Sequence, residues 1–519
     1  MAKPKIVILG GGVSAITVAM QLSENPQWRN RFESITIYQL GWRLGGKGAT
    51  GRVGAANRIL EHGLHIWLGY YENAFQLVKT IYAAAGRPAS SPIPTWDKAF
   101  TGQDDVGVVD YSDGVWNPWI FQIPPNNEVP GDGKVPPLPA SATRGVNWLG
   151  RTWIDLGARL ADVEAVELGS RLIKLAPEAQ APVPSAELIG ALKELSGTCA
   201  RYRTQSHLLS LDLKAWLTLV ETAATIMFGI LAENISSYAD LEKLEGIDFA
   251  KWLSKYSIDA SIADLAVNPL LRGMYDFAFA FQNGDIGLPN FAAAPALRTI
   301  FRMCLTYKGS IFYKMNAGMG DTIFAPAYEA LVKRGVGVKF FHKVKSLELS
   351  ADKSRIAAVR FGRQATVTSE PYRPLKPVSV KQGLDPLPCW PDHPLYDQLA
   401  NGQALSDSKA NLESFWCQRP DVRETTLTVA DIDKVVFGIS LGSIPYLCSE
   451  LLAASSAWRH LAKVATVRTQ SLQLWLKDTI QQLGWKDASP VLDAWVEPFD
   501  TWADMTDILE FETWGPHRP

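Results

Sequence analysis

The residues of this chain that could do chemistry fall into two glycine clusters and a few protic side chains. Gly10, Gly11 and Gly12 stand between the apolar run Lys5 to Leu9 and the helical pattern that starts at Val13, with Ala15 three residues beyond Gly12. In that spacing Gly10 permits a tight turn, Gly12 lets a pyrophosphate approach the backbone, and Ala15 lets a helix lie close on a strand. The exposed N–H groups at Val13 and Ser14 and the positive helix end would face the phosphates. A purely structural glycine turn is the alternative for this cluster taken alone. The second cluster, Leu44, Gly45 and Gly46 in GWRLGGKGATGR, carries Arg43 and Lys47 on its flanks. Backbone N–H groups and positive charge there could run along the same diphosphate and the sugar chain beyond it, so the pair of loops suits a dinucleotide longer than a nicotinamide one. His65, Tyr313 and Lys314 are the protic candidates for the reacting end. A hydrogen-bonded structural imidazole and a surface lysine are the plainer alternatives for His62, His65 and Lys314.

Such loops need strands and a helix to hold them. Lys5 to Leu9 is β-rich and apolar without alternation, as in a strand covered on both faces, and Val13 to Leu22 has helical spacing. A second strand follows from Ser34 to Leu40, completing a βαβ unit. At its end, where an acidic residue commonly holds the adenosine ribose, stands Gln39, which can bond hydroxyls without charge assistance. No arginine pair is offered for a 2′-phosphate.

Together the two glycine clusters resemble the start of the FAD-binding domain in the amine oxidase and phytoene desaturase superfamily, whose motif runs from an arginine through Leu or Val to Gly-Gly-Arg/Lys. The stretch ILEHGLHIWLGYYENAFQLV, with Gly63, Leu64, His65, Trp67, Gly69, Tyr71 and Asn73, is similar to phytoene and ζ-carotene desaturases. The resemblance implies FAD as cofactor and puts Gly63, His65 and Gly69 beside the flavin ring. It likewise matches Gly318 and Met319 to a glycine turn and Val344 to the valine whose backbone bonds adenine, with Asp321 read as a helix N-cap. Members of the superfamily also have a terminal strand, Gly-Asp pair and glycine-started helix; nothing after Trp485 matches these. A second polypeptide is therefore expected to supply the remaining FAD contacts.

The predicted fold class is α/β, a Rossmann-like FAD-binding domain interleaved with an α+β, largely helical substrate domain. Residues 1–81, 308–363 and 427–450 are assigned to the FAD-binding domain. Residues 82–307 form a substrate or cap domain, loop-rich from Tyr82 to Gly150 and helical from about Trp153 to Tyr307. Residues 364–426 are a Pro-rich insertion expected to touch that substrate domain, and 451–519 return to it. Around the turn at Gly318, a helix closing at Gly335 and a strand pair at Val338 to Phe341 and Val344 to Leu349 are predicted. A strand from Asp433 should return to the FAD-binding domain, and VRTQSLQLWL should re-enter the substrate domain as an alternating strand with Val467, Leu472, Leu474 and Leu476 as its apolar positions.

With 519 residues, two domains are the prior expectation. The 51 basic and 53 acidic residues leave a formal charge of only −2, which speaks against a nucleic acid partner. Five separated cysteines argue against a disulfide framework or structural zinc, and no clustered metal ligand or Ser-His-Asp elbow is visible, so no metal is assigned. No signal sequence opens the chain, and a cytoplasmic location is expected. The apolar stretch Ala215 to Asn234 carries Glu221 at its middle and reads as a buried or membrane-dipping helix, so peripheral membrane contact is a further expectation. The function these readings favour is an FAD-dependent dehydrogenase, desaturase or oxidase moving a hydride from a largely apolar or aromatic small molecule to flavin N5. The alternatives are an amine or L-amino-acid oxidase, for which Arg302, Trp416 and Trp475 are candidate substrate contacts, and a flavin-free scaffold subunit.

Overall fold

Unbroken apolarity in a five-residue strand demands cover on both sides, and β1 (Lys5–Leu9) has it. In the computed structural model, which describes residues 3–112, 114–176, 185–205, 209–486 and 491–515, Ile6 and Ile8 enter a core with Ala15, Ala19 and Met20 of α1 (Val13–Leu22). Val7 and Leu9 enter a second core with Val344, Leu347 and Phe361. β1 lies inside a four-stranded parallel sheet in the order Gly337–Lys339, β2 (Ser34–Tyr38), β1, Lys434–Phe437. Ile8 is paired with Ile37 on one side and Val436 on the other. The architecture is α/β, a Rossmann-like parallel sheet with substantial helical content. A Cβ on Gly438 would lie 2.7 Å from that of Ala15, so two small residues let α1 settle against the end of the fourth strand.

The predicted strand pair after residue 337 is not a pair. Gly337–Lys339 extends the parallel sheet beside β2, whereas His342–Leu349 pairs antiparallel with Ile356–Arg363, which in turn pairs with Arg423–Thr428. The chain changes sheets at Phe341, a buried residue with φ of +60°. Its N–H donates to the Gly41 carbonyl at 2.8 Å, and the N–H of His342 donates to that of Gln39 at 2.9 Å. Those two bonds fix the corner over the end of β2.

Helices Leu138–Arg159, Val163–Leu175, Ala186–Gln205, Leu211–Ala232, Phe249–Tyr256, Pro269–Phe277 and Ala293–Leu305 carry the middle of the chain. Leu211–Ala232 is long and apolar enough to cross a membrane, but 72% of its most apolar window is buried against this protein. Glu221 at its middle is ion-paired with Arg203 at 2.8 Å, and burial pushes the carboxyl up to about 7 against the pull of that guanidinium. It is a core helix of the helical region.

Two other expectations are corrected and one is refined. Within the expected loops of 82–150, Asp105–Ser112 and Val115–Gln122 form a hairpin, and helix begins at Leu138. The Pro-rich segment touches residues 82–307 as expected, the Asp385 N–H donating to the Ser90 carbonyl at 2.9 Å, but it packs mainly on the dinucleotide region, where Val378, Leu387, Cys389 and Trp390 share the core of Ile8 and Ala15. The stretch 464–476 is extended but pairs with no strand, and its leucines point outward, with Leu472, Leu474 and Leu476 all more than half exposed. Gln473 faces inward instead, accepting from the Glu61 N–H at 2.9 Å and donating to the Ile59 carbonyl.

Candidate functional site

The two glycine clusters meet back to back at the start of α1. Gly10 has φ of +90°, and a side chain there would press on the Gly438 carbonyl oxygen, 2.9 Å from the position of a Cβ. The Gly45 N–H, at a residue with φ of +123°, donates to the Gly11 carbonyl at 2.8 Å, and a Cβ on Gly46 would stand 3.3 Å from the Gly12 Cα. Leu44 is fully buried beneath Gly11. Gly12 is different from its neighbours: a Cβ on it would meet nothing within 4 Å. Around that open point Val13, Ser14, Gly46 and Lys47 are exposed, and α1 has neither a side-chain cap nor an acidic residue in its first turn. First-turn N–H groups that no side chain caps, the positive end of the helix and Lys47 therefore share one rim, which suits an anion. The small residue Ala15 is buried behind it.

Two polar residues expected on the rim are engaged otherwise. Arg43 forms a bidentate ion pair with Glu413, both contacts 2.6 Å, and donates to the Thr50 carbonyl at 2.7 Å, so its charge is spent inside the protein. Gln39, half-buried at the end of β2, donates its amide to the Leu40 carbonyl at 2.7 Å and turns its Oε1 toward Gly11. Beside it stands His342, whose Nδ1 lies 2.7 Å from the Phe340 carbonyl and whose ring meets Tyr38 edge-on at 5.2 Å. Burial, then the positive Arg363, push its pKa down to about 3. Val344 is buried and paired with Phe361 just before a break in the strand register.

The second loop continues into a carboxylate hub. Glu61 Oε1 accepts from the Thr50 hydroxyl at 2.7 Å and from the Met319 N–H at 2.9 Å, while Oε2 lies 3.1 Å from His65 Nδ1. The Thr50 hydroxyl in turn accepts from the Gly320 N–H at 2.6 Å. Gly318 must be glycine because a side chain would collide with Thr50 and Glu61, and Met319 packs on Gly48. Its neighbours Thr50 and His65 and the distant Met319 thus converge on Glu61, which sequence reasoning passed over although it lies within the stretch Ile59 to Val78. A carboxylate on Nδ1 fixes the His65 ring and leaves Nε2 as its outward polar atom. Gly63, with open space about it, is next to this imidazole in the chain. His62 is bound to the Ala49 carbonyl at 2.7 Å.

Other candidates lie away from the rim. Tyr313 donates to the Lys308 carbonyl at 2.9 Å and accepts from the Ser310 N–H, so its hydroxyl locks a turn. Lys314 is buried, donates to the Asp504 carbonyl at 2.9 Å, and has its pKa lowered by that burial. Gly69 gives room for the Ser310 and Lys308 carbonyls of the neighbouring chain. Asp321 is not a cap: its side chain is fully buried in an ion pair with Arg52 at 2.6 Å. Arg302 is bound to the Tyr70 carbonyl, Trp416 packs on Phe415 and Tyr446, and Trp475 donates to Glu512, so these three share no partner.

Residues 8–81 match the family described as an NAD(P)-binding Rossmann-like domain. No curated protein matches the chain. Among solved structures it is similar to an oxidoreductase from Methanosarcina mazei, at 10% identity and a TM-score of 0.34 over 68% of this chain. It is also similar to a Rab GDI from Plasmodium falciparum, at 9% identity and a TM-score of 0.31 over 75%. The chain spans 55% and 64% of those two proteins.

Proposed function

We propose that this chain is a flavoprotein oxidoreductase that binds FAD and removes a hydride from a largely apolar substrate. The observation that carries the reading is the backbone contact between the two glycine loops, Gly45 N–H to Gly11 carbonyl at 2.8 Å, which leaves Gly12 as an open floor between two sets of N–H groups. One loop suffices for a diphosphate; two in contact suit a dinucleotide with a longer polar chain. Gly12, Val13 and Ser14 would hold the diphosphate with Gly46 and Lys47, on a turn that Gly10, Ala15 and Gly45 shape from behind; Gln39 would take the ribose, and Val344 the adenine side. Gly63, His65, Gly318 and Met319, gathered by Glu61, would border the flavin. When bound, FAD supplies a hydride acceptor at N5.

The chain's own residues have three tasks in this reading. Glu61 orients His65, which offers Nε2 to a polar atom or proton near the donor carbon. The outward row Leu472, Leu474 and Leu476, fastened to the Glu61 strand through Gln473, offers apolar surface next to that hub. The helical region encloses the substrate and keeps water out. A cytoplasmic location is part of the proposal.

The test is to purify the protein, record its visible spectrum, and titrate the apoprotein with FAD and with NAD. Flavin bands, or saturable uptake of one FAD per chain in preference to NAD, are the expected result. Oxygen consumption with polyenes, amines and amino acids then separates substrate classes. Protein that carries no flavin and takes up none on titration refutes the reading in favour of a scaffold.

A further inference from the structure

We propose that Asp276, Glu497 and Asp500 form a binding site for a hard divalent cation, Ca²⁺ in the first place, that fastens the segment after Val491–Asp493 to the helix Pro269–Phe277. One carboxylate oxygen from each of the three lies within 4.8 Å of the other two. Oxygens that coordinate Ca²⁺ at about 2.3–2.6 Å stand as much as roughly 5 Å apart across the ion. The donor set is oxygen alone, which favours Ca²⁺ or Mg²⁺ over the transition metals.

Asp276 supplies the independent observation. It is 2% exposed, its Oδ1 has no hydrogen-bond partner, and its Oδ2 has only a 3.4 Å contact with Arg272 Nε. A buried carboxylate oxygen without a donor is costly unless something positive faces it. Arg272 also reaches Glu497 at 3.6 Å, so one guanidinium at long range serves two carboxylates. Asp493, buried beside them, is occupied: its Oδ1 accepts from the Ala494 N–H and the Thr501 hydroxyl, both at 3.0 Å. Those bonds shape the loop that carries Glu497 and Asp500, and the Trp495 N–H closes it on the Asp500 carbonyl at 3.0 Å. Among the described residues, four acidic groups, Asp276, Asp493, Glu497 and Asp500, thus face one cation, Arg272, and a doubly charged ion offsets most of the difference. Ca²⁺ tolerates the irregular geometry of ligands from a helix and a loop, whereas Mg²⁺ would keep several waters.

The experiment uses the full chain freed of metal. Tb³⁺ is titrated with excitation of Trp495 next to the site, and binding of Ca²⁺ and of Mg²⁺ is measured by calorimetry. Saturable Tb³⁺ luminescence that Ca²⁺ displaces, together with a rise in melting temperature and slower proteolysis in Ca²⁺, is expected. Glu497 and Asp500 are partly exposed, so the E497Q/D500N variant should fold, and it should weaken Ca²⁺ at least about tenfold. D276N should do the same. Tighter binding of Mg²⁺ than of Ca²⁺ overturns the choice of ion. Absence of saturable binding at millimolar concentrations of either, or binding equal in wild type and E497Q/D500N, overturns the site, and the cluster is then neutralised by protons.

Discussion

Gly12 and Gly10 are two residues apart, yet the structure gives them opposite tasks, and alanine at each separates them. At Gly12 the backbone, with φ of −76° and ψ of 179°, is one that alanine adopts freely, and the added methyl meets no atom of the protein. Alanine is a poorer helix N-cap than glycine, but the unfolded chain loses freedom by about 0.4–1 kcal/mol, and the two effects nearly cancel. The folded protein should therefore melt within about 0.5 °C of wild type. The methyl does occupy the point where a diphosphate would approach the backbone, and loss of one hydrogen bond to a charged group costs about 1.5–3 kcal/mol. Affinity for FAD should fall roughly 10- to 150-fold. At Gly10, alanine must adopt φ of +90° with its methyl 2.9 Å from the Gly438 oxygen. Strain of about 1–3 kcal/mol is expected, which over an unfolding entropy of roughly 1.1 kcal/mol/K for 519 residues lowers the melting temperature by about 1–3 °C. Both variants are assayed by flavin fluorescence quenching and by thermal melting. Wild-type FAD affinity in Gly12→Ala, or an equal loss of stability in the two variants, would refute the assignment of Gly12 to the ligand and Gly10 to the fold.

Breaking the fully buried Arg52–Asp321 pair by Asp321→Asn should cost about 3–5 kcal/mol by denaturant titration, while the double replacement Arg52→Met with Asp321→Leu recovers much of it. Glu61→Ala strands the Met319 N–H and frees His65; a loss of about 1–3 kcal/mol in stability is expected, with a drop in turnover larger than the drop in FAD affinity once a substrate is known. His342 is held neutral in the fold down to about pH 3, whereas the unfolded chain protonates it near pH 6.5. Below that value the unfolded state binds more protons, so stability falls with acidification by at most about 1.4 kcal/mol per pH unit until pH 3. Urea midpoints at pH 7, 5.5 and 4.5 should decline less for His342→Phe than for wild type, and parallel declines would count against the reasoning.

The opening βαβ unit is readable because its determinants are local: Gly10 to Gly12 set the turn, and neighbours in the chain supply the helix spacing. The corner at Phe341 is not, since nothing in KFFHKV distinguishes a hairpin from a residue forced to φ of +60° by bonds to Gly41 and Gln39. Arg43 looked like a phosphate ligand because Glu413, its partner, lies 370 residues further on. Glu61 gave a weaker but usable signal, an acidic residue directly after the apolar pair Ile59 and Leu60, but its partners Thr50 and Met319 come from other segments. In VRTQSLQLWL the period of two is correct and the face is inverted, because Gln473 finds backbone partners at Ile59 and Glu61 that no leucine could use. The hairpin 105–122 was hidden by the flanking Pro, Gly and Asp residues and by Pro118 within its second strand.

The parallel sheet joins the two halves of the chain at a cost in time. The N–H of Lys5 donates to the carboxylate of Asp433, 428 residues away, and β1 lies between β2 and the strand that follows that aspartate. At about 5–20 residues per second, a ribosome needs roughly 20 to 90 s to make the second after the first. Throughout that interval the most apolar strand of the protein has an open edge, while the helices of residues 138–305, with their local contacts, can already assemble. The nucleotide fold is begun before the helical region and its sheet closed after it, which leaves β1 in need of protection during synthesis.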